Sequence, residues 1–189
     1  HMAIKQPEFK VIKQDGDIEL REYKGYLMAS VITSAENYSR AGSQGFSPLA
    51  NYIFGNNQVS QKMPMTAPVL TTKTTVSKKI PMTAPVLTQG MTSSKYQISF
   101  VMPDDYKLSS LPRPINNDVV LHEIKKHRAV AISFKGLSGD RKVKEKVDAL
   151  ESWAKVHKIQ LTGEPILARY DAPWKPGFLR HNEVIFICK

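Results

Sequence analysis

The chain has 189 residues, of which 41% are hydrophobic and 23% charged, a composition typical of one globular domain and unlike a fibrous or disordered chain. Its 27 Lys and Arg residues against 17 Asp and Glu give a formal net charge of +10, which favours an anionic partner such as nucleic acid, a membrane surface or an acidic small molecule. The single cysteine, Cys188, excludes an intramolecular disulfide and a CxxC zinc site, and no apolar run is long enough to span a bilayer.

Alternating apolar and polar residues predict antiparallel strands near the start of the chain. Residues 9–13 and 18–23 flank a turn at residues 15–17, and an apolar run follows at residues 27–32. We interpret residues 1–2, His-Met, as a cloning scar and leave them out of the reasoning.

A first helix is expected after these strands. Ser34 supplies a start signal, apolar residues recur at helical spacing, and Gly55 ends the pattern. Pro48 leaves two possibilities open, a helix that is weakened or kinked at this proline or a helix that begins near Ser47.

The second half of the chain repeats this order of elements. Alternation restarts at residue 119 and continues to residue 134, and residues 140–158 carry apolar side chains at steps of four and three, which predicts a helix with one buried face. Strands are predicted at residues 165–170 and 183–188, on either side of a loop rich in proline and aromatic residues.

The pattern strand, strand, helix, strand, strand therefore occurs twice. Residues 18–31 resemble residues 119–132, although few positions are identical. Each half alone would leave a sheet edge and an apolar face uncovered, so we predict that the two halves pair into one barrel. The cleft between them is then the default ligand site.

A second internal repeat is much closer. Residues 62–71 and 79–88 differ at one of ten positions, and each copy contains two prolines. Because proline lacks an N–H donor, each copy is better suited to an edge or bulged strand than to a central strand.

Acidic residues are unevenly distributed along the chain. Residues 37–103 contain no Asp or Glu, whereas they contain six Lys and Arg residues. This segment should carry a positive potential, which suits a small dianionic ligand better than a nucleic-acid surface.

The repeated element at residues 62–71 and 79–88 resembles the K-I-x-M-T-x-P-V segment of the SOUL haem-binding family. Residues 45–55, 99–103 and 167–184 resemble the same family. Together these matches cover nearly the whole chain.

The resemblance implies a single SOUL-like haem-binding domain over residues 3–189, with pseudo-repeats at about residues 7–102 and 113–189. The implied fold class is α+β, a distorted antiparallel β-barrel formed from two pseudo-symmetric ββαββ halves, with two main helices packed on the sheet. This agrees with the order of elements predicted from the residues alone.

The resemblance also implies that haem of the b type, or another porphyrin, is bound non-covalently in an apolar groove between the first helix and the C-terminal loop. The groove walls would then be Phe46, Leu49, Ala50, Ile53, Trp174, Phe178 and Leu179. Arg40 and Lys62 flank the helix and are candidates to pair with the haem propionates.

Axial ligation of haem iron needs an imidazole, a thioether or a thiolate in an apolar pocket. His181 follows the aromatic loop and is the candidate metal ligand, while ligation by no protein side chain stays open. Glu183 is either a general base or, as we favour, a carboxylate paired with Arg180 or Arg169.

These observations predict a non-enzymatic protein that binds haem or a related tetrapyrrole for buffering, transport or sensing. The alternative is a small-molecule effector sensor or a hydrolase that uses the same cleft. We expect no nucleic-acid partner and no membrane span, and the oligomeric state stays open, with a monomer favoured. The protein should be soluble, in the cytoplasm or, if an export signal preceded residue 3, in the periplasm or outside the cell.

Overall fold

The computed structural model describes residues 6–59, 76–171, 176 and 179–189. Two helices and eleven strands occur in these residues. In chain order they are β1 (Phe9–Asp15), β2 (Ile18–Tyr23), β3 (Tyr26–Ser34), α1 (Tyr38–Ile53), β4 (Asn57–Gln58), β5 (Val86–Gly90), β6 (Lys95–Val101), β7 (Arg113–Pro114), β8 (Val120–Ile124), β9 (His127–Lys135), α2 (Asp140–Val156), β10 (Leu161–Arg169) and β11 (His181–Cys188). Neither described helix is long and apolar enough to cross a membrane.

Nine of the strands form one curled antiparallel sheet in the order β1-β2-β9-β11-β10-β5-β6-β3-β8, and β4 pairs with β7. From the β10–β5 pair outward, the order β5-β6-β3-β8 on one side corresponds to β10-β11-β9-β2 on the other. The halves thus exchange a strand: β2 of the first half pairs with β9 of the second, and β8 of the second half pairs with β3 of the first. The predicted α+β fold with two ββαββ halves and two packed helices is confirmed.

Both helices cover the same face of the sheet. Leu167 is paired with Thr88, and Thr88 with Ile98, and residues directly opposite in an antiparallel pair point to the same side. Leu167 belongs to the core under α2, and Ile98 to the core under α1. We call this side the helix face. The other side, the inner face, carries a third apolar cluster that includes Ala129, Ala168 and Ile185.

Helix α1 is continuous across Pro48, so the predicted start near Ser47 is wrong. The helix begins after Asn37, whose side chain accepts a hydrogen bond from the Arg40 N–H at 2.8 Å. Pro48 leaves the carbonyl of Gln44 without its helical donor. Because Gln44 is exposed, water can satisfy that carbonyl.

The second copy of the close repeat, residues 79–88, does not form an edge strand. Its prolines precede β5, which begins at Val86 and lies between β10 and β6 in the centre of the sheet. Ile80 is buried in the core, and its N–H donates to the Ile53 carbonyl at 2.7 Å. The expectation of an edge or bulged strand is therefore wrong for this copy, while residues 62–71 lie outside the described residues.

Helix α1 approaches β6 at Gly45. A Cβ atom added there would lie 2.6 Å from both Cβ and Cγ1 of Ile98, which is far inside van der Waals contact. We predict that Gly45→Ala lowers the free energy of unfolding by about 1–3 kcal/mol because the helix must move off the sheet. Urea denaturation measures this change, and Ser47→Ala, an exposed position of the same helix, should stay within about 0.5 kcal/mol. If Gly45→Ala instead stabilised the protein by about 1 kcal/mol, helix propensity alone would decide the effect and the close approach would be refuted.

Candidate functional site

Four residues form a row across the helix face at the end of the sheet where β10 leads into the loop of residues 170–180. Phe100 is paired with Val86, Val86 with Arg169, and Arg169 with Asn182. We call Phe100, Val86, Arg169 and Asn182 the helix-face row. The ring of Phe46 on α1 packs edge-on against Phe100, with 5.3 Å between the ring centroids.

The helix-face row is partly open to solvent. Phe100 and Asn182 are buried, whereas Val86, Arg169 and Phe46 are only partly buried. Helix α1 borders the row on one side, and the loop after Arg169 leaves from its end. The row therefore presents apolar side chains next to the positively charged side chain of Arg169.

The guanidinium of Arg169 is poorly satisfied. Its Nη2 donates to the Tyr38 carbonyl over a long 3.4 Å, and its buried Nε has no hydrogen-bond partner. No carboxylate of the described residues forms a salt bridge with it. Burial, and then the positive charge of Arg180, lower the pKa of Arg169, while Asp140 acts in the opposite direction.

Helix α1 passes directly over this guanidinium. A Cβ atom at Gly42 would lie 2.8 Å from Nη1 of Arg169. A glycine at this position leaves room for the cation between the helix and the sheet. The helix backbone and the cation are thus held together by close packing.

Glu183 lies on the inner face and is not paired with Arg169 or Arg180, so this sequence-based prediction is wrong. Its Oε1 accepts a hydrogen bond from Arg21 Nη1 at 2.8 Å, and its Oε2 is bound by Arg21 Nη2. The Ser133 and Tyr170 hydroxyls donate to the same carboxylate. The partner was missed because Arg21 lies 162 residues away in the chain.

The environment of Glu183 keeps it charged and enclosed. Burial alone would raise the pKa of Glu183, but the hydrogen bonds and charge of Arg21 hold that pKa below its ordinary value. The residue is 2% exposed, and its oxygens are occupied by four donors. This geometry fits a structural ion pair and gives the carboxylate no access to a substrate proton.

A cavity of about 1090 Å³ opens at the same end of the sheet, near the start of β3 and the end of β6. Tyr26 and Val101 of the inner-face cluster line it, together with Leu27 and Met102 of the cluster under α1. Its charged lining residues have mixed signs and are Glu8, Lys24, Asp104, Lys107 and Glu123. This volume is large enough for a small organic ligand, but three carboxylates against two ammonium groups do not favour a dianion.

Comparison with known proteins decides the family. The profile of the family described as SOUL heme-binding protein matches residues 4–77 and 71–187. The chain belongs to the SOUL haem-binding family. Human Heme-binding protein 2 is 28% identical over 99% of this chain and 87% of its own length. Membership of the family supports haem binding.

Two solved structures share the fold of this SOUL protein. The C-terminal domain of EcmrR has a TM-score of 0.64 at 15% identity, with 91% of this chain and 96% of that domain covered. A hydrolase from Listeria innocua has a TM-score of 0.54 at 11% identity, with 100% and 94% covered. At such identities the likeness concerns the fold alone.

The structure places the residues predicted for the SOUL groove in different settings. Leu49, Ala50 and Ile53 are 0%, 7% and 1% exposed and pack in the core beneath α1. Phe46, Arg40 and Leu179 are accessible. Lys62, Trp174 and Phe178 lie outside the described residues.

His181 does not lie on the same face as the predicted walls of α1. Its ring packs against Tyr170 with 4.9 Å between centroids, and its Nε2 is 4.0 Å from Glu183 Oε2, so it lies on the inner face. The described residues contain no group of three or more His, Cys, Asp or Glu side chains that could hold a metal ion. Alternation along β11 could have indicated this, since His181 and Glu183 are two residues apart.

We predict that Glu183→Gln lowers the free energy of unfolding by about 2–3 kcal/mol at neutral pH, because Arg21 loses its buried carboxylate and keeps only Glu19, which is partly exposed, as its anion. The folded-state pKa of Glu183 is lowered, so its contribution is present above the unfolded-state value of about 4.3 and disappears as the pH falls through the folded-state value. Urea denaturation from pH 7 to pH 3 should show a constant gap between the two proteins above about pH 5 and a shrinking gap below about pH 4.

The control for this prediction is Glu145→Gln, which alters an exposed carboxylate 4.0 Å from Lys142. This change should have little effect at any pH. A gap between wild type and Glu183→Gln that widened with acidification would show that the carboxyl group is protonated in the folded state.

Proposed function

We propose that this protein binds haem or a related tetrapyrrole reversibly and non-covalently on the helix face, without catalysing a reaction, for buffering, transport or sensing of the ligand. Family membership supports the ligand class. The partly exposed apolar side chains of Phe46 and Val86, which lie over the buried Phe100 and beside a cation, are the observation that carries the location.

The chemistry of these side chains suits an amphiphilic ring. The apolar side chains can cover one face of a tetrapyrrole, and the cation beside them can meet an acidic edge. Haem would supply a planar apolar body, an iron centre and two carboxylates. Within the segment of residues 37–103, which includes α1 and β6, no acidic residue opposes those carboxylates.

The residues predicted for the groove take different parts in this proposal. Phe46 and Leu179 would contact the ring directly, and Trp174 and Phe178 would complete the wall that the loop provides. Leu49, Ala50 and Ile53 would hold α1 in place from the core side. Arg40 and Lys62 stay candidates for the propionates.

The charge of the competing cavity near β3 and β6 argues against it as the haem site. Its described lining brings three carboxylates and two ammonium groups near the ligand, and an excess of like charge disfavours a dianion in a partly desolvated site. The helix-face row has no such carboxylate. Charge therefore ranks the helix face first for an anionic tetrapyrrole.

Titration of the apo protein with hemin tests this proposal. We expect a saturable Soret shift with quenching of tryptophan fluorescence at micromolar hemin. Phe46→Ala should weaken binding about tenfold, because a large apolar contact is lost. The matched control is Phe54→Ala, which removes a phenylalanine that is 60% exposed just beyond the end of α1, and it should bind as the wild type does.

Two outcomes would contradict the proposal. Absence of any saturable spectral change at micromolar hemin would refute haem binding itself. Equal affinity of wild type and Phe46→Ala would refute the helix-face location and point to the cavity near β3 and β6.

Iron ligation by His181 is tested separately. Because the His181 ring lies on the inner face, we expect His181→Ala to leave the Soret position and the hemin affinity unchanged when haem occupies the helix face. The absorption spectra of the ferric and ferrous complexes measure this. A shifted Soret band in the variant would show that His181 ligates the iron, as the sequence predicts, and that the haem reaches the inner side of β11.

A further inference from the structure

Arg169 is a cation that the described fold leaves without an anion. Its Nε is buried with no partner, and its contact to the Tyr38 carbonyl is long at 3.4 Å. Desolvating a guanidinium without pairing it is unfavourable. A side chain in this state can gain free energy from an incoming carboxylate.

Three acidic groups on the elements around Arg169 have other partners. Asp171, two residues further along the chain, accepts a hydrogen bond from the His181 N–H. Asp140 at the start of α2 accepts a hydrogen bond from the Tyr38 N–H at 3.1 Å. Glu183 is paired with Arg21 on the inner face. The described structure thus offers no carboxylate to Arg169 at salt-bridge distance.

Arg180 and Thr88 also contribute polar groups to the surroundings of Arg169. After burial, the positive charge of Arg180 also lowers the pKa of Arg169, while Asp140 acts in the opposite direction. The hydroxyl of Thr88, one pair further along the same face, is also buried without a partner. Arg169 Nε and this hydroxyl are the two buried side-chain polar atoms of the described chain that lack a hydrogen bond.

Arg169 also lies where the acidic edge of a ring bound on the helix-face row would be. Val86 is its direct pair on β5, and Phe100 and Phe46 follow across the row. A flat apolar ring on Val86 and Phe46 would bring its acidic edge to the guanidinium. The fork of an arginine can bind a carboxylate through two parallel hydrogen bonds.

We infer that Arg169 anchors a carboxylate of the bound tetrapyrrole, beneath α1 at Gly42. This inference rests on the proposed function and names a residue of that site which sequence reasoning had assigned to Glu183. Arg169 is then a specificity residue, since it distinguishes acidic porphyrins from their neutral esters.

The test compares hemin with hemin dimethyl ester, in which both carboxylates are blocked. We expect Arg169→Gln to weaken hemin binding by about tenfold to a hundredfold, the range for a charge-assisted hydrogen bond. Binding of the dimethyl ester should not change between wild type and variant. Arg169→Lys, which keeps the charge and loses the fork, should fall between them.

Arg128→Gln is the matched control. Arg128 is exposed and lies on the helix face of β9. On the same strand, Phe134 pairs with Asn182 of the helix-face row. Six residues separate Arg128 from Phe134, so Arg128 lies about 20 Å along the strand from the row. Its loss removes the same charge from the same face at the other end of the sheet. Hemin affinity should be that of the wild type.

The outcomes separate this inference from the proposed function. If wild type binds hemin and Arg169→Gln binds it equally well, the inference is overturned and the proposed function stands. Equal weakening for hemin and its ester would show that Arg169 only supports the fold, which also overturns the inference. If wild type binds neither compound, the proposed function fails and the inference with it.

The wild-type protein provides a second measurement should Arg169→Gln fail to fold. Wild type should prefer hemin to the dimethyl ester by at least tenfold, and this preference should fall as the salt concentration rises. Equal affinities for the two compounds would overturn the inference without any variant.

Discussion

The ion pair of Arg21 and Glu183 is the contact on which the arrangement of the two halves depends. Arg21 belongs to β2, the strand that the first half gives to the second, and Glu183 belongs to β11. Strand β9 lies between them and adds the Ser133 hydroxyl. A slip of β2 by one residue would turn Arg21 into the core under α2 and Leu20 out of it. The pair therefore fixes the register of the exchanged strand.

The same pair also makes the two faces of the sheet electrostatically different. On the inner face the carboxylate and the guanidinium neutralise each other in a buried setting. On the helix face Arg169 keeps its charge without a carboxylate at salt-bridge distance among the described residues. A dianionic ligand would meet a neutralised ion pair on the inner face. On the helix face it would meet a cation that has no carboxylate partner among the described residues. The proposed site for an acidic porphyrin is thus separated from the contact between Arg21 and Glu183 that joins the two halves.

Local patterns in the sequence predicted most of the fold. Alternation located β1, β2 and β3, helical spacing located α2, and the recurring order of elements predicted the two halves, because each of these signals depends on neighbouring residues. The exchange of β2 and β8 could not be predicted in this way, since its strand pairs join residues 90 to 114 positions apart in the chain. The partner of Glu183 was missed for the same reason. The helix start predicted near Ser47 was wrong because the Gln44 carbonyl, which loses its donor at Pro48, belongs to an exposed residue. Water can satisfy this carbonyl, so the proline costs the helix less free energy.

The candidate site was less predictable than the fold. Helical spacing correctly grouped Leu49 and Ile53 on one face, but that face is the core and not a ligand surface. Sequence alone does not distinguish these cases, because both surfaces are apolar. The sequence favoured Arg180 or Arg169 as the partner of Glu183, although the register of β10 and β11 places Arg169 and Glu183 on opposite faces. Register, more than composition, decides which residues of this site meet.

The glycines of α1 connect the packing of the helix to the proposed chemistry. Gly42 and Gly45 each cost a helix about 1 kcal/mol relative to alanine, yet one lies against Arg169 and the other against Ile98. Because glycine has no side chain, the helix can lie close to the sheet at these positions and cover the guanidinium of Arg169. Covering a charge lowers the local dielectric constant and strengthens its attraction for an anion. The net charge of +10 would attract acidic ligands to any part of the surface, whereas this close approach gives one cation a defined position and an apolar neighbour. Specific recognition of a tetrapyrrole would therefore depend on how α1 packs, and overall charge would contribute mainly to the rate of encounter.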